Sequence, residues 1–120
     1  MSQDEPSQRI VTIRPRAVAD IERHAEYLEE NASPEVAWRF RSAVMEAVEQ
    51  IGFMPGAGAP REVRNPALSG LRMWIIPGFR NHLIFYLTPE GRAEIIRVFH
   101  AAQDIKTLLE EEPGEQNGDV

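Results

Sequence analysis

A join only a few residues long between two helical stretches constrains this chain more than any other feature. From Ala17 onward, Ala17, Ile21, Ala25 and Leu28 recur at three- to four-residue spacing, with Asp20, Glu22, Glu26 and Glu29 around them. That is the period of an amphipathic helix. Pro15 suits its first turn, where a missing N–H costs nothing, and Asn31 can end it. Ser33-Pro34-Glu35 then restarts a helix with an N-cap hydroxyl, a preset φ and an acid at the positive dipole end. Ala37, Phe40, Val44, Ala47, Val48 and Ile51 form its stripe, and Gly52 is read as its end. Helices so close in sequence are antiparallel neighbours.

The rest of the chain supplies the sheet that such a hairpin must cover. Residues 9–14 (RIVTIR) are β-branched and read as a strand. Residues 54–70 are rich in Pro and Gly and read as a long loop; loops of that length in small domains are often functional. Three strands follow, at 71–76, 81–87 and 93–100. Pro77-Gly78 and TPEGR (88–92) turn the chain between them, giving an antiparallel meander. Ile105, Leu108 and Leu109 mark a last amphipathic helix over 104–111. The expected fold is α+β, in the order β-α-α-β-β-β-α, with the helical hairpin on one face of a mainly antiparallel sheet.

At 120 residues the chain suits one domain, expected over 9–111, and no cysteine is present to staple it or to bind zinc. Segments 1–8 and 112–120 hold few apolar groups and are expected to be disordered. The polar start MSQDEPSQR does not read as a signal peptide, and no apolar run is long enough to span a bilayer. The expected location is the cytoplasm. The net charge of −6 is concentrated in the tails and in residues 16–52, which hold eight acids and four Arg. Residues 53–109 hold four acids and seven bases, so the C-terminal half is mildly basic. This pattern suits either a polar binding face or two ordinary solvated surfaces.

Several short signatures occur in order: Pro15-x-Ala17-x-x-Asp20-Ile21, Pro55-x-x-Gly58, Gly70-Leu71-Arg72, Ile84-Phe85-Tyr86, and Ile96-Arg97-Val98-Phe99-His100-Ala101-Ala102-Gln103-Asp104-Ile105. Together, over about residues 9–109, they resemble the ParE/RelE toxins of type II toxin–antitoxin systems, and the last is most similar to the ParE branch. The resemblance implies a toxin neutralised by the flexible segment of a cognate antitoxin. ParE-like members poison DNA gyrase; RelE-like members cut messenger RNA on the ribosome. It also implies that the antitoxin lies in an apolar groove between the helical hairpin and the sheet. A degenerate toxin that keeps the fold without the activity is the third possibility.

Metal-free RNA cleavage needs a base, an acid and cations on the charged phosphorane. The candidates are Arg72, Arg80, Arg97 and His100. A Tyr after His100, usual in the nucleases, is missing, and Ala101 stands there. His100 is either a general base or a tether for the last loop. Period two puts Arg97 on the face of Ile95 and Phe99, where it either binds a partner or pairs with Asp20 or Asp104. Partner-binding candidates are Arg72 and Trp74 on one strand face, Arg80, Arg97, Asp104 and Trp38. Trp38 falls off its helix stripe and either meets a partner or seals the helix pair. No metal or cofactor site is expected, since the three His, at 24, 82 and 100, lie in three different elements and no Gly-rich phosphate loop exists.

Overall fold

The computed structural model describes residues 11–114. Of the tails expected at 1–8 and 112–120, residues 1–8 and 115–120 lie outside the described residues, whereas 112–114 are described and Glu112 is buried. The elements are β1 (Val11–Ile13), α1 (Pro15–Asn31), α2 (Pro34–Phe53), β2 (Ala59–Pro60), β3 (Arg72–Ile76), β4 (Phe79–Leu87), β5 (Ala93–His100) and α3 (Ile105–Glu110). The five strands form one sheet in the order β1-β5-β4-β3-β2. β1 runs parallel to β5, and the other pairs are antiparallel; the α1–α2 hairpin carries the chain from β1 at one edge to β2 at the other. The two-residue β2 is an addition to the expected order; Ala59 pairs with Met73 and Pro60 with Arg72.

Capping chemistry accounts for the helix starts. Pro15 occupies the first turn of α1. At α2 the Ser33 hydroxyl accepts from the Val36 N–H at 3.1 Å. Gly52, expected to stop α2, lies inside it. The helix runs one residue further, and a Cβ at 52 would sit 2.7 Å from Val11 Cγ2. The glycine is there for close approach of α2 to β1, not for termination.

The sheet is buried on both sides. Phe40, Val44 and Ile51 of the hairpin pack on Ile84, Tyr86, Ile95 and Val98. On the opposite face Leu68, Leu71 and Leu109 cover Leu83, Phe85, Ile96 and Phe99. That second layer comes from the long loop and α3, so the loop is a structural cover for the sheet. The expected groove between hairpin and sheet is therefore closed, since Phe40, Val44, Ile51, Ile84 and Tyr86 are each 0% exposed.

A bulge in β5 decides which side chains face where. Phe85 pairs with Arg97 and Tyr86 with Ile95, leaving Ile96 as the extra residue. Ile95 faces the helices, whereas Ile96 and Phe99 face the loop and α3. The Arg97 guanidinium lies 4.6 Å from the Phe99 ring centroid. Strict alternation would have put Ile95 and Arg97 together; the extra residue separates them.

Candidate functional site

All five sequence signatures take part in two clasps. In the first, the Tyr86 hydroxyl donates to Pro55 O at 2.8 Å and accepts the Gly58 N–H at 2.8 Å. Arg72 Nη1 donates to Gly58 O at 2.6 Å. A Cβ at 58 would collide with the Tyr86 hydroxyl, so only glycine allows this approach. Burial pushes the Tyr86 phenol up from its ordinary pKa, holding it protonated as a donor. The turn after α2 is thus fixed to the middle of the sheet.

The second clasp lies at the outer edge of β5. β1 covers that edge only as far as Ile95. Beyond it, α1 side chains take the place of a strand. Asp20 Oδ2 accepts the Val98 N–H at 3.0 Å, and His24 Nε2 donates to Val98 O at 3.0 Å. Asp20 also takes Arg97 Nε at 2.7 Å and Nη2 at 2.8 Å, a two-pronged pair. Arg97 Nη1 donates to Glu112 at 3.0 Å. The bonds to Asp20 and then Glu112 hold the Arg97 guanidinium above its ordinary pKa. Glu112, the first residue of the expected tail, is 3% exposed and also lies 3.8 Å from Arg14. No spacing signal pointed to Glu112 as a partner of Arg97.

The three histidines converge although their spacing gave no hint of it. His82 lies between His24 and His100, with ring centroids 5.1 and 4.8 Å away. Burial, and then its two neighbours, push His82 down to about 4. Burial also lowers His24. The rings meet edge to face, and among the described residues no group of His, Cys, Asp and Glu is arranged to hold a metal ion.

Exposed apolar side chains gather on the outer flank of the hairpin. The exposed Arg41–Glu22 pair at 2.9 Å marks the antiparallel register of α1 and α2. One turn along each helix, this register brings Val18 opposite Met45, with Trp38 a turn away on the other side. Their exposures are 47%, 54% and 66%. Trp38 is thus open to solvent and does not seal the helix pair.

Against this geometry stand the comparisons with known proteins. Residues 11–105 match the family described as ParE toxin of type II toxin–antitoxin system, parDE. The chain belongs to the ParE toxin family. Among solved structures, this ParE-family chain is similar to the chromosomal ParDE toxin–antitoxin system from P. aeruginosa, at 17% identity and a TM-score of 0.64. The match covers 78% of this chain and 97% of that one, and it shows a shared fold. No curated protein matches.

Within this ParE fold the candidate residues fall in separate places. Arg97 is buried in carboxylates, and Arg72 is tied to the Gly58 carbonyl. His100 uses Nδ1 to accept the Ala102 N–H at 2.9 Å, holding the turn before α3. It faces His82, on the side of the sheet away from the Phe99 ring over which Arg97 lies. Asp104 caps α3 by accepting from Thr107 N at 3.4 Å. Of the two expected partners of Arg97, Asp20 pairs with it and Asp104 does not; the second carboxylate is Glu112. Trp74 is half-buried against the hairpin core, and Arg80 is exposed at the head of β4. Among the described residues no helix is long and apolar enough to cross a membrane.

Proposed function

We propose that this ParE-family chain is a cytoplasmic growth inhibitor that acts by binding DNA gyrase and is neutralised by its cognate antitoxin. One observation supports binding over catalysis. The cation nearest His100 in the signature, Arg97, is neutralised by two carboxylates and turned to the other side of the sheet. A guanidinium so paired cannot stabilise a phosphorane, so Arg97 does not serve His100 as an electrophilic partner for RNA cleavage.

The antitoxin's surface is placed on the outer flank of the hairpin, where Trp38 is exposed on one side of the Glu22–Arg41 pair and Val18 and Met45 on the other. A large indole surrounded by charged neighbours on a helical hairpin suits an amphipathic helix laid along it. The deciding experiment adds the purified chain to gyrase and relaxed plasmid. Loss of supercoiling, restored by the antitoxin, is the expected result. Supercoiling left intact, together with messenger cuts at the ribosomal A site in a translation extract, would replace this reading with the RelE-like nuclease.

A further inference from the structure

The clasp at the outer edge of β5 gathers more positive charge than it balances. Four guanidiniums, of Arg14, Arg16, Arg23 and Arg97, meet three carboxylates, of Asp20, Glu94 and Glu112. Asp20 serves both Arg97 and Arg23, and Glu94 serves Arg14. Arg14, Arg16 and Arg97 then converge on Glu112, at 3.8, 4.0 and 3.0 Å. Arg14 and Arg97 are buried, whereas the Arg16 side chain is 47% exposed and opens the site to solvent on its side.

Glu112 fills this site incompletely. Its Oε1 accepts from Arg97 Nη1, but Oε2 is buried with no hydrogen-bond partner among the described residues. Arg14 Nη1 and Arg16 Nε stand beyond hydrogen-bond reach of the planar carboxylate. The segment that delivers Glu112 is held by polar bonds. C-terminal to Leu109, none of the described residues joins either apolar core. Arg14 Nη1 donates to Pro113 O at 3.3 Å and to Gly114 O at 3.0 Å, and Asn65 Nδ2 to Glu112 O at 2.9 Å. Water can take over such bonds at small net cost, so the segment is displaceable without opening the core.

We propose that Arg14, Arg16 and Arg97 form a phosphate-binding site, which the chain's own Glu112 fills in competition with the ligand. Phosphate fits where carboxylate falls short. Its tetrahedral oxygens reach several donors at once, and guanidinium forks suit them. A dianion in place of the Glu112 monoanion also brings the four guanidiniums into balance with Asp20 and Glu94. Arg97 lies over the Phe99 ring, on the face away from His100, so a bound phosphate meets no base from that histidine and is held, not cleaved. The site goes beyond the gyrase reading and fails independently of it, since its assay holds neither gyrase nor antitoxin.

The test compares the full chain with its Glu112→Ala variant, in which the site is vacated. Melting temperatures are read in about 20 mM sodium phosphate and in sodium chloride of matched ionic strength. Phosphate should raise the variant's melting temperature by about 5 °C and the wild type's by less than about 1 °C, because the tethered carboxylate competes at high effective concentration. Glu112→Gln keeps the side chain's shape and should show the same difference, which covers an alanine variant that does not fold. Adding Arg16→Ala should at least halve the shift. Adenosine 5′-monophosphate separates the two sources of the anion: a shift matching that of phosphate assigns the site to phosphate esters, and a shift with phosphate alone assigns it to the free anion. Equal shifts in wild type and variants, no shift in any of them, or a shift unchanged by Arg16→Ala overturns the proposal.

Discussion

Removing the Asp20 carboxylate should cost this fold several kilocalories, and the size follows from what it leaves behind. The Asp20 side chain is 1% exposed, Arg97 8% and Glu112 0%. Asp20→Ala strips two charge-assisted bonds from Arg97 and, among the described residues, the side-chain acceptor of the Val98 N–H at the β5 edge. Breaking a buried pair from one side costs about 3–5 kcal/mol, because a buried charge is left under-compensated. The orphaned N–H falls within that figure and is not added to it, since both losses share one network. Domains of this size hold about 5–15 kcal/mol in all, so the variant is marginal or unfolded. With a urea slope of about 1.5 kcal/mol/M, the midpoint should fall by roughly 2–3 M. A companion variant, Asp20→Leu with Arg97→Met and Glu112→Leu, removes the charges together. It should lose less than Asp20→Ala alone, because Arg97 leaves together with both its carboxylates and the buried Arg14 keeps Glu94 at 2.8 Å. A loss under about 1 kcal/mol for Asp20→Ala, or a triple variant worse than the single one, would refute this account of the edge clasp.

Three further outcomes are expected. Gly52→Ala, which in an ordinary helix gains about 1 kcal/mol, should destabilise here, because its Cβ meets Val11 Cγ2 at 2.7 Å; a raised melting temperature would contradict the close-approach reading. Gly58→Ala should cost roughly 2–4 kcal/mol in denaturant unfolding, since the new methyl displaces the Tyr86 hydroxyl from both its bonds. Acid should weaken the fold through His82, whose pKa falls from 6.5 to about 4 on folding. Above pH 6.5 both states hold it neutral; as pH drops toward 4 the unfolded chain is protonated first, so about 3 kcal/mol is lost across that window. His82→Leu should flatten the stability profile there, and an unchanged slope would rule His82 out as the cause.

The nuclease question shows why sites are harder to read than folds. Arg97 and His100 are three residues apart in the sequence and both are chemically suited to RNA. Their odd spacing puts them on opposite faces of β5, Arg97 with Phe99 and His100 with His82, and the bulge at Ile96 instead parts Arg97 from Ile95. Bulges follow from the fit between two strands, and one strand's sequence does not display them. The convergence of His24, His82 and His100 was hidden in the same way, because α1, β4 and β5 meet only when the sheet assembles.

Local physics sufficed for the elements. Helical periodicity, the Ser33 cap, the Pro15 and Pro34 starts and the Pro77-Gly78 turn each act within a few residues, so the chain displays them without folding. The β-α-α-β-β-β-α order and the hairpin-on-sheet layering followed, and the signatures carried the family. Tertiary structure alone decided the parallel β1–β5 pairing, the two-residue β2, the burial of Glu112 beneath Arg97 and Arg14, and the use of Gly52 and Gly58 for close approach. Each depends on groups far apart in sequence whose meeting costs loop-closure entropy and is repaid only in the assembled core. The charge of Arg97 was written in the chain; whether it faces a partner or a carboxylate was settled by where α1 and the C-terminal segment came to rest.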